Sequence, residues 1–254
     1  MEVLVQLQEK WLRLFDEENR AVLCSAFGTL LGYDDFYNGL EISVENEKMC
    51  WNRHTLMQSV NTSVCPYCGR QYITNRKDDT TTASCDHYYP KSQYPLLSIN
   101  MYNLVPSCYV CNSVTKGNRL KGADQLHLYP YQDGSELLKF RIKIDNADSL
   151  YNFSKSDNLI EVEIGEACCE SQMQKAKSSV DLFELQDIYQ YHQKDAFELR
   201  RALQEEASEA YQKIFNANFE QLKAINKFAF SYREKELTQE PLVKFRRDIE
   251  EQFV

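Results

Sequence analysis

Glycine and proline are scarce in this 254-residue chain, with eight and six copies. That scarcity disfavours a loop-rich all-β fold and suits one built largely from helices. No apolar run approaches the ~20 residues that a membrane-crossing helix needs, so no membrane association is expected. The first fifteen residues scatter acids and Gln among apolar positions and show neither a basic leader nor a cleavage site. No signal peptide is therefore expected, and the expected location is the cytoplasm. An excess of positive charge is missing too. Basic residues number 29 against 38 acidic ones, a net charge of −9, whereas free nucleic-acid binders are more often basic. What is present is an ordinary globular balance of 43% hydrophobic and 26% charged residues, which excludes wholesale disorder.

The charge is spread unevenly. Residues 61–122 hold seven basic residues (Arg70, Arg76, Lys77, Lys91, Lys116, Arg119, Lys121) and three acids (Asp78, Asp79, Asp86). This segment is locally +4, and the remainder carries −13. Five of the nine cysteines fall between positions 65 and 111. Without a secretory signal, disulfides are not expected, and such crowding points to a metal.

Hydrophobic periodicity divides the chain into four parts. Residues 1–60 form an N-terminal helical region, with Leu4, Leu7, Trp11, Leu14 and Phe15 on one face. Residues 61–130, which hold five of the six prolines, are loops around short elements. Residues 131–165 contain two alternating runs, Leu138 to Ile144 and Leu159 to Ile164, expected as a half-buried antiparallel pair. Residues 166–254 form a C-terminal helical region, striped by Leu185, Ile188, Tyr189, Ala196, Leu199, Leu203, Ala207, Ala210 and Ile214. Core packing is the ordinary meaning of that stripe; binding of a partner is the sharper one. The expected fold class is α+β and mostly helical.

Cys65-Pro-Tyr-Cys68-Gly and Cys108-Tyr-Val-Cys111-Asn are two CxxC units. Two intervening residues let both sulfurs of a pair point into one tetrahedral site, and two such knuckles close a four-cysteine zinc site. Gly69 suits a knuckle that needs positive φ. A thioredoxin-like redox pair explains one CxxC but not two, and buried unliganded cysteines are the bland alternative. The spacer between the knuckles is long for a bare zinc ribbon, so something else is folded there. Cys85 lies in it and fits a small core residue better than a ligand.

The insert carries Asp86-His87 and Asn103, and Asn112 and Lys116 follow the second knuckle. Phosphodiester hydrolysis needs a base for water, a divalent cation on the phosphate and groups that hold both. Imidazole titrates near neutrality, so His87 suits the base. Asp86 is a hard oxygen ligand for Mg²⁺ or Mn²⁺, and Asn112 offers a second oxygen. Neighbours on a strand point to opposite sides, so Asp86 and His87 can serve one centre only on a twisted or bulged strand. Lys91, Lys116 and Arg119 are candidate phosphate contacts, with solvated surface charge as the alternative. Tyr88, Tyr89 and Tyr94 fit packing under the loop better than stacking on bases.

Asp-His, Asn and Asn-x-x-x-Lys woven around two CxxC pairs resemble the HNH endonuclease family in its zinc-stapled ββα-metal form, over about residues 61–122. The resemblance implies a central ββα-metal motif, His87 as general base, Asn103 as its orienting residue, and Asp86 and Asn112 as ligands of a catalytic Mg²⁺ or Mn²⁺. The zinc on Cys65, Cys68, Cys108 and Cys111 is then structural. The last motif position is Asn where the family often has His. The N-terminal helices, Cys65-Pro-Tyr-Cys-Gly-Arg-Gln-Tyr-Ile73, His127-Leu-Tyr-Pro-Tyr131 and the helical C-terminus are similar to the HNH subunit of Septu-type bacterial anti-phage systems. That resemblance implies nucleic acid as substrate and an ABC-type ATPase as partner, with a retron reverse transcriptase and its RNA/DNA in some systems. Two rival functions stand beside it. One is a non-catalytic zinc-knuckle module that binds nucleic acid or protein. The other is a thiol redox sensor. His54, His127 and His192 are expected to be structural.

Overall fold

The computed structural model describes every residue except 1, 45–46, 78–79, 121–125, 151–152, 155–157, 168, 215–229 and 254. Contacts divide the chain into two units, Met1–Asp133 and Gly134–Val254.

The first unit opens with α1 (Glu2–Leu12) and α2 (Glu17–Leu30). Asp16 starts α2 by accepting a hydrogen bond from the Asn19 amide at 2.9 Å. After Gly32, whose φ is +65°, comes α3 (Tyr33–Asn38). An antiparallel hairpin of β1 (Leu40–Val44) and β2 (Glu47–Trp51) follows, so the region expected to be helical from 1 to 60 is interrupted by strands. A reciprocal cap between Asn52 and Thr55 then opens α4 (Arg53–Val60). Phe36, Leu56 and Leu104 are fully buried together, with Tyr33, Trp51, Val60, Cys85 and Ile99 against them.

The N-terminal apolar stripe does not face the core. Leu4, Leu7 and Leu14 are 40%, 58% and 77% exposed, while Val5 and Gln8 are buried. Gln8 turns α1 towards the loop at residues 93–96: its amide donates to the Gln93 carbonyl at 2.5 Å and accepts from the Leu96 amide at 3.2 Å. Main-chain groups that would otherwise be buried unpaired thus select a polar position for the inner face. Trp11 packs edge-on to Phe15 and Phe27, each 5.3 Å away.

The segment around the first CxxC is a tight ribbon: Cys65 and Gln71 pair, as do Ser63 and Ile73, through main-chain bonds of 2.9 Å. It leads into β3 (Ser84–His87), antiparallel to β4 (Leu104–Ser107). A short helix, Val110–Lys116, follows and closes with an i→i+5 bond from the Gly117 amide to the Asn112 carbonyl.

In the second unit the two alternating runs form β5 (Leu138–Ile142) and β6 (Ile160–Ile164), antiparallel from Leu138↔Ile164 to Ile142↔Ile160. Side-chain amides cover the outer edges of this ribbon. Gln252 bonds both the N–H and the C=O of Ile142, and Gln190 does the same for Ile160. Gln186 and Asp248 accept from the Val162 and Phe140 amides. These bonds block further strand pairing. The helical region is broken into α5 (Glu170–Leu182), α6 (Leu185–Tyr189) and α7 (Gln193–Ile214). One break is at Glu184, which takes φ +52°. Leu185, Tyr189, Ala196, Leu199 and Leu203 are buried as the stripe implies. The side chains of Ala207, Ala210 and Ile214 lie outside the described residues. The last helix, α8 (Val243–Phe253), lays Phe245 against the stacked pair Phe140 and Tyr189, whose rings are 4.0 Å apart. Among the described residues, no helix is long and apolar enough to cross a membrane.

Candidate metal centre and active site

The four knuckle cysteines meet. Cys65, Cys68, Cys108 and Cys111 are all buried, and their sulfurs lie within 4.8 Å of one another. Gly69 takes φ +61° and returns its amide to the Cys65 carbonyl at 2.8 Å. At the second knuckle the Cys111 amide points at the Cys108 sulfur, 3.4 Å away. Hydrogen bonds from Cys111, Cys65 and Cys68 hold the Cys108 thiol far below its ordinary pKa, whereas burial raises that of Cys65. Four crowded sulfurs sharing protons in a dry pocket are a donor set that a soft-tolerant dication can replace those protons on. The group can hold a structural metal ion such as zinc. Cys85 lies apart from it, in the apolar cluster, with its pKa pushed up to about 12 by burial.

Asp86 and His87 are the last two residues of β3. Their pairing with Val105 and Leu104 is continuous, without a bulge. The two side chains keep different company. Asp86 is 3% exposed. Its Oδ2 accepts the Tyr67 hydroxyl at 2.6 Å and the Lys116 ammonium at 2.5 Å. Its Oδ1 accepts no hydrogen bond among the described residues. Tyr67 sits between Cys65 and Cys68, so the first knuckle itself grips the carboxylate. Burial, and then the charge of Asp86, hold the Tyr67 hydroxyl protonated as a donor.

His87 lies against the Tyr33 ring, with centroids 4.7 Å apart, and its Nε2 is 2.9 Å from the Ser98 carbonyl. A carbonyl only accepts, so Nε2 carries the proton and Nδ1 keeps its lone pair. Burial pulls the imidazole pKa down to about 4, against the raising effect of the Ser98 bond and of Asp86. The ring is therefore neutral at pH 7 and able to take a proton at Nδ1. No hydrogen bond joins the side chains of Asp86 and His87.

Asn103 does not touch His87. It is fully buried, accepts from the Tyr89 amide at 2.7 Å, and donates to the carbonyls of Tyr89 and Leu97 at 3.1 and 3.0 Å. It pins the loop between β3 and β4 one residue away from the carbonyl that fixes His87. Asn112 is half-buried in the short helix, one turn before Lys116, and donates to the Ser113 hydroxyl at 3.2 Å.

Lys116 departs from the expected surface role. It is 3% exposed, and its ammonium bonds Asp86 and the His87 carbonyl, the latter at 2.7 Å. Burial lowers its pKa while Asp86 raises it. Its charge is consumed internally, because an unpaired ammonium in that position is costly. Lys91 and Arg119 are exposed. The Lys91 ammonium lies 3.9 Å from the centre of the Tyr33 ring, and Arg119 bonds the Thr115 carbonyl. Tyr88, Tyr89 and Tyr94 are buried, with the Tyr88 hydroxyl on the His127 carbonyl at 2.7 Å. His54 and His127 are buried, and His192 pairs with Asp195 at 2.9 Å. Tyr67, Tyr33 and the Ser98 carbonyl escaped the sequence reading. For Tyr67 a signal existed: a large residue between two converging cysteines must send its side chain away from the sulfurs.

No family model matches the chain, and no solved structure matches it. Protein ea31 of Escherichia phage lambda is 38% identical over 71 residues, which is 27% of this chain. The matched region spans 21% of that protein.

Proposed function

We propose that the chain is a metal-dependent endonuclease of the HNH type, hydrolysing nucleic-acid phosphodiester bonds. The observation that carries this reading is the join between strand and helix. A neutral, tautomerically fixed His87 stands next to a buried Asp86, and Lys116, from the helix after the second knuckle, bonds both residues. Strand, strand and short helix around a four-cysteine cluster is the arrangement that the ββα-metal resemblance implies. His87 takes the proton of the attacking water at Nδ1. Asn103 holds the loop that supplies the Ser98 carbonyl. Asp86 Oδ1 and the Asn112 amide oxygen are hard donors that fit Mg²⁺ or Mn²⁺. A divalent ion bound there would polarise the scissile phosphate and offset its developing charge. The four-cysteine site has no open position for water, so zinc is structural in this scheme.

The likeness to Septu-type systems extends the proposal to a bacterial anti-phage effector restrained or triggered by an ABC-type ATPase, with or without a retron reverse transcriptase. A zinc module that binds without cutting is the second reading. The exposed Tyr102, Tyr109 and Val114, 60%, 66% and 63% accessible, favour it, since they offer a stacking surface. Incubation of DNA and RNA with the full chain and Mn²⁺ or Mg²⁺ separates the two. Wild type should cut, and His87→Ala should lose about 10²–10⁴-fold in rate with zinc content unchanged. Equal cleavage by wild type and His87→Ala would remove the assigned base.

A further inference from the structure

In the nuclease reading Asp86 is the carboxylate that would hold the catalytic cation, and it already has a full partner. Lys116 Nζ lies 2.5 Å from its Oδ2, and the two side chains are 3% and 5% exposed. The Lys116 side chain is buried along its length. A second anchor, the His87 carbonyl at 2.7 Å, keeps it in place when Oδ1 engages another group. Tyr67 and Asn112 add no formal charge, and the Asp86–Lys116 ion pair is neutral in sum. The formal charge of the donor set is therefore zero.

A divalent cation entering such a site loses part of its hydration and meets no net negative charge in return. It also comes close to a fixed ammonium in a region of low dielectric, where like charges repel strongly. Magnesium in particular dehydrates reluctantly, and carboxylates and substrate phosphates usually hold it jointly. Here the missing negative charge has one natural source, the phosphodiester itself. From this charge balance we infer that Lys116 makes occupancy of the catalytic ion conditional on a bound phosphodiester. Lys116 acts as an internal counter-ion that holds Asp86 in place and keeps the cation weakly bound until nucleic acid arrives. The inference rests on the nuclease reading above. By linkage the coupling is reciprocal: cation and nucleic acid strengthen each other's binding by the same factor.

The test reads Mn²⁺ binding directly, by the electron paramagnetic resonance signal of free Mn²⁺, on the full zinc-loaded chain. His87→Ala serves as the background, so that the oligonucleotide stays intact. A mixed-sequence oligonucleotide, as DNA in one arm and RNA in the other, should tighten Mn²⁺ binding about tenfold or more in the arm that matches the substrate. A methylphosphonate oligonucleotide, which lacks backbone charge, should not. On the same background Lys116→Met should bind Mn²⁺ about tenfold tighter without any oligonucleotide and lose most of the coupling, while Lys116→Arg should keep it. Equal Mn²⁺ affinity with and without both charged oligonucleotides overturns the inference, and this outcome needs no Lys116 variant to fold. Equal affinity of Lys116→Met and its parent, at equal zinc content, overturns it as well, and cleavage by wild type then leaves the nuclease reading standing. If Asp86→Ala binds Mn²⁺ like its parent and wild type does not cut, the nuclease reading falls and takes the inference with it.

Discussion

Asn103 is fully buried and spends its side chain on the main chain of the loop between β3 and β4. Its amide satisfies the Tyr89 N–H and the Tyr89 and Leu97 carbonyls. Truncation removes all three bonds; the Leu97 carbonyl keeps the Asn100 amide at 3.2 Å, and each buried group left unsatisfied costs about 1–3 kcal/mol. Asn103→Ala is therefore expected to destabilise the fold by about 3 kcal/mol in urea denaturation while retaining the knuckle metal. In the nuclease reading, its cleavage defect should be smaller than that of His87→Ala, because the imidazole still has its lone pair and loses only the exact placement of Ser98. Unchanged stability would show that water replaces the amide. The same residue shows what a sequence can and cannot announce. Its likeness to a motif position marks Asn103 for attention, but only the folded loop reveals that it acts through backbone atoms. Lys116 and Tyr67 were harder to read. Their partner Asp86 is 30 and 19 residues away, and no local pattern encodes a contact that chain folding creates. A lysine is solvated in most settings, so the ordinary expectation put Lys116 on the surface.

At the scale of elements, legibility follows how local the determining physics is. The knuckles were readable because two residues between cysteines and a glycine after them are a complete local instruction, and Gly69 duly takes φ +61°. The β5–β6 ribbon was readable because alternation has period two, and its register follows the alternating runs. Helix α1 was misread because its inner face is chosen by unpaired main-chain groups of a loop more than 80 residues away, which Gln8 satisfies. The knuckles also give the sharpest stability prediction. Cys65→Ser and Cys108→Ser should each lose about one zinc per chain and lower the melting temperature, since metal binding to such a site is folding free energy. Cys24→Ser and Cys169→Ser should keep the metal, because neither sulfur belongs to the four-sulfur group; Cys168, outside the described residues, should also be replaceable. Elemental analysis of the purified variants decides it. Full zinc in Cys65→Ser or Cys108→Ser would mean that the buried cluster does not hold the ion. Tyr67 adds a consequence: loss of the knuckle ion releases the residue that grips Asp86, so zinc removal should weaken Mn²⁺ binding in a chain that still folds.

At the scale of the whole molecule, every residue of the proposed chemistry and all four clustered cysteines fall within Met1–Asp133, while Gly134–Val254 has its own core around Phe140, Tyr189, Phe245 and Ile249. The first unit carries 12 basic and 15 acidic residues, and the second 17 and 23, so the larger negative excess belongs to the second unit. A unit with its own core and its own contacts can fold alone, and a structural metal adds what a modest core lacks. The expected outcome is that a Met1–Asp133 fragment binds zinc and unfolds in one cooperative transition, and that Gly134–Val254 folds without metal. In the nuclease reading, Mn²⁺-dependent cleavage goes with the first fragment alone. The second then serves control, and in the defence-complex proposal it should be the part that retains the ATPase in a pull-down. Expression of the two fragments separates these roles. Zinc content and a denaturant titration report on folding, cleavage reports on chemistry, and co-purification with the ATPase reports on partnership. A Met1–Asp133 fragment that holds zinc and folds but does not cut, beside a full chain that does, would mean that the second unit contributes to the reaction itself, and the division of labour would fail.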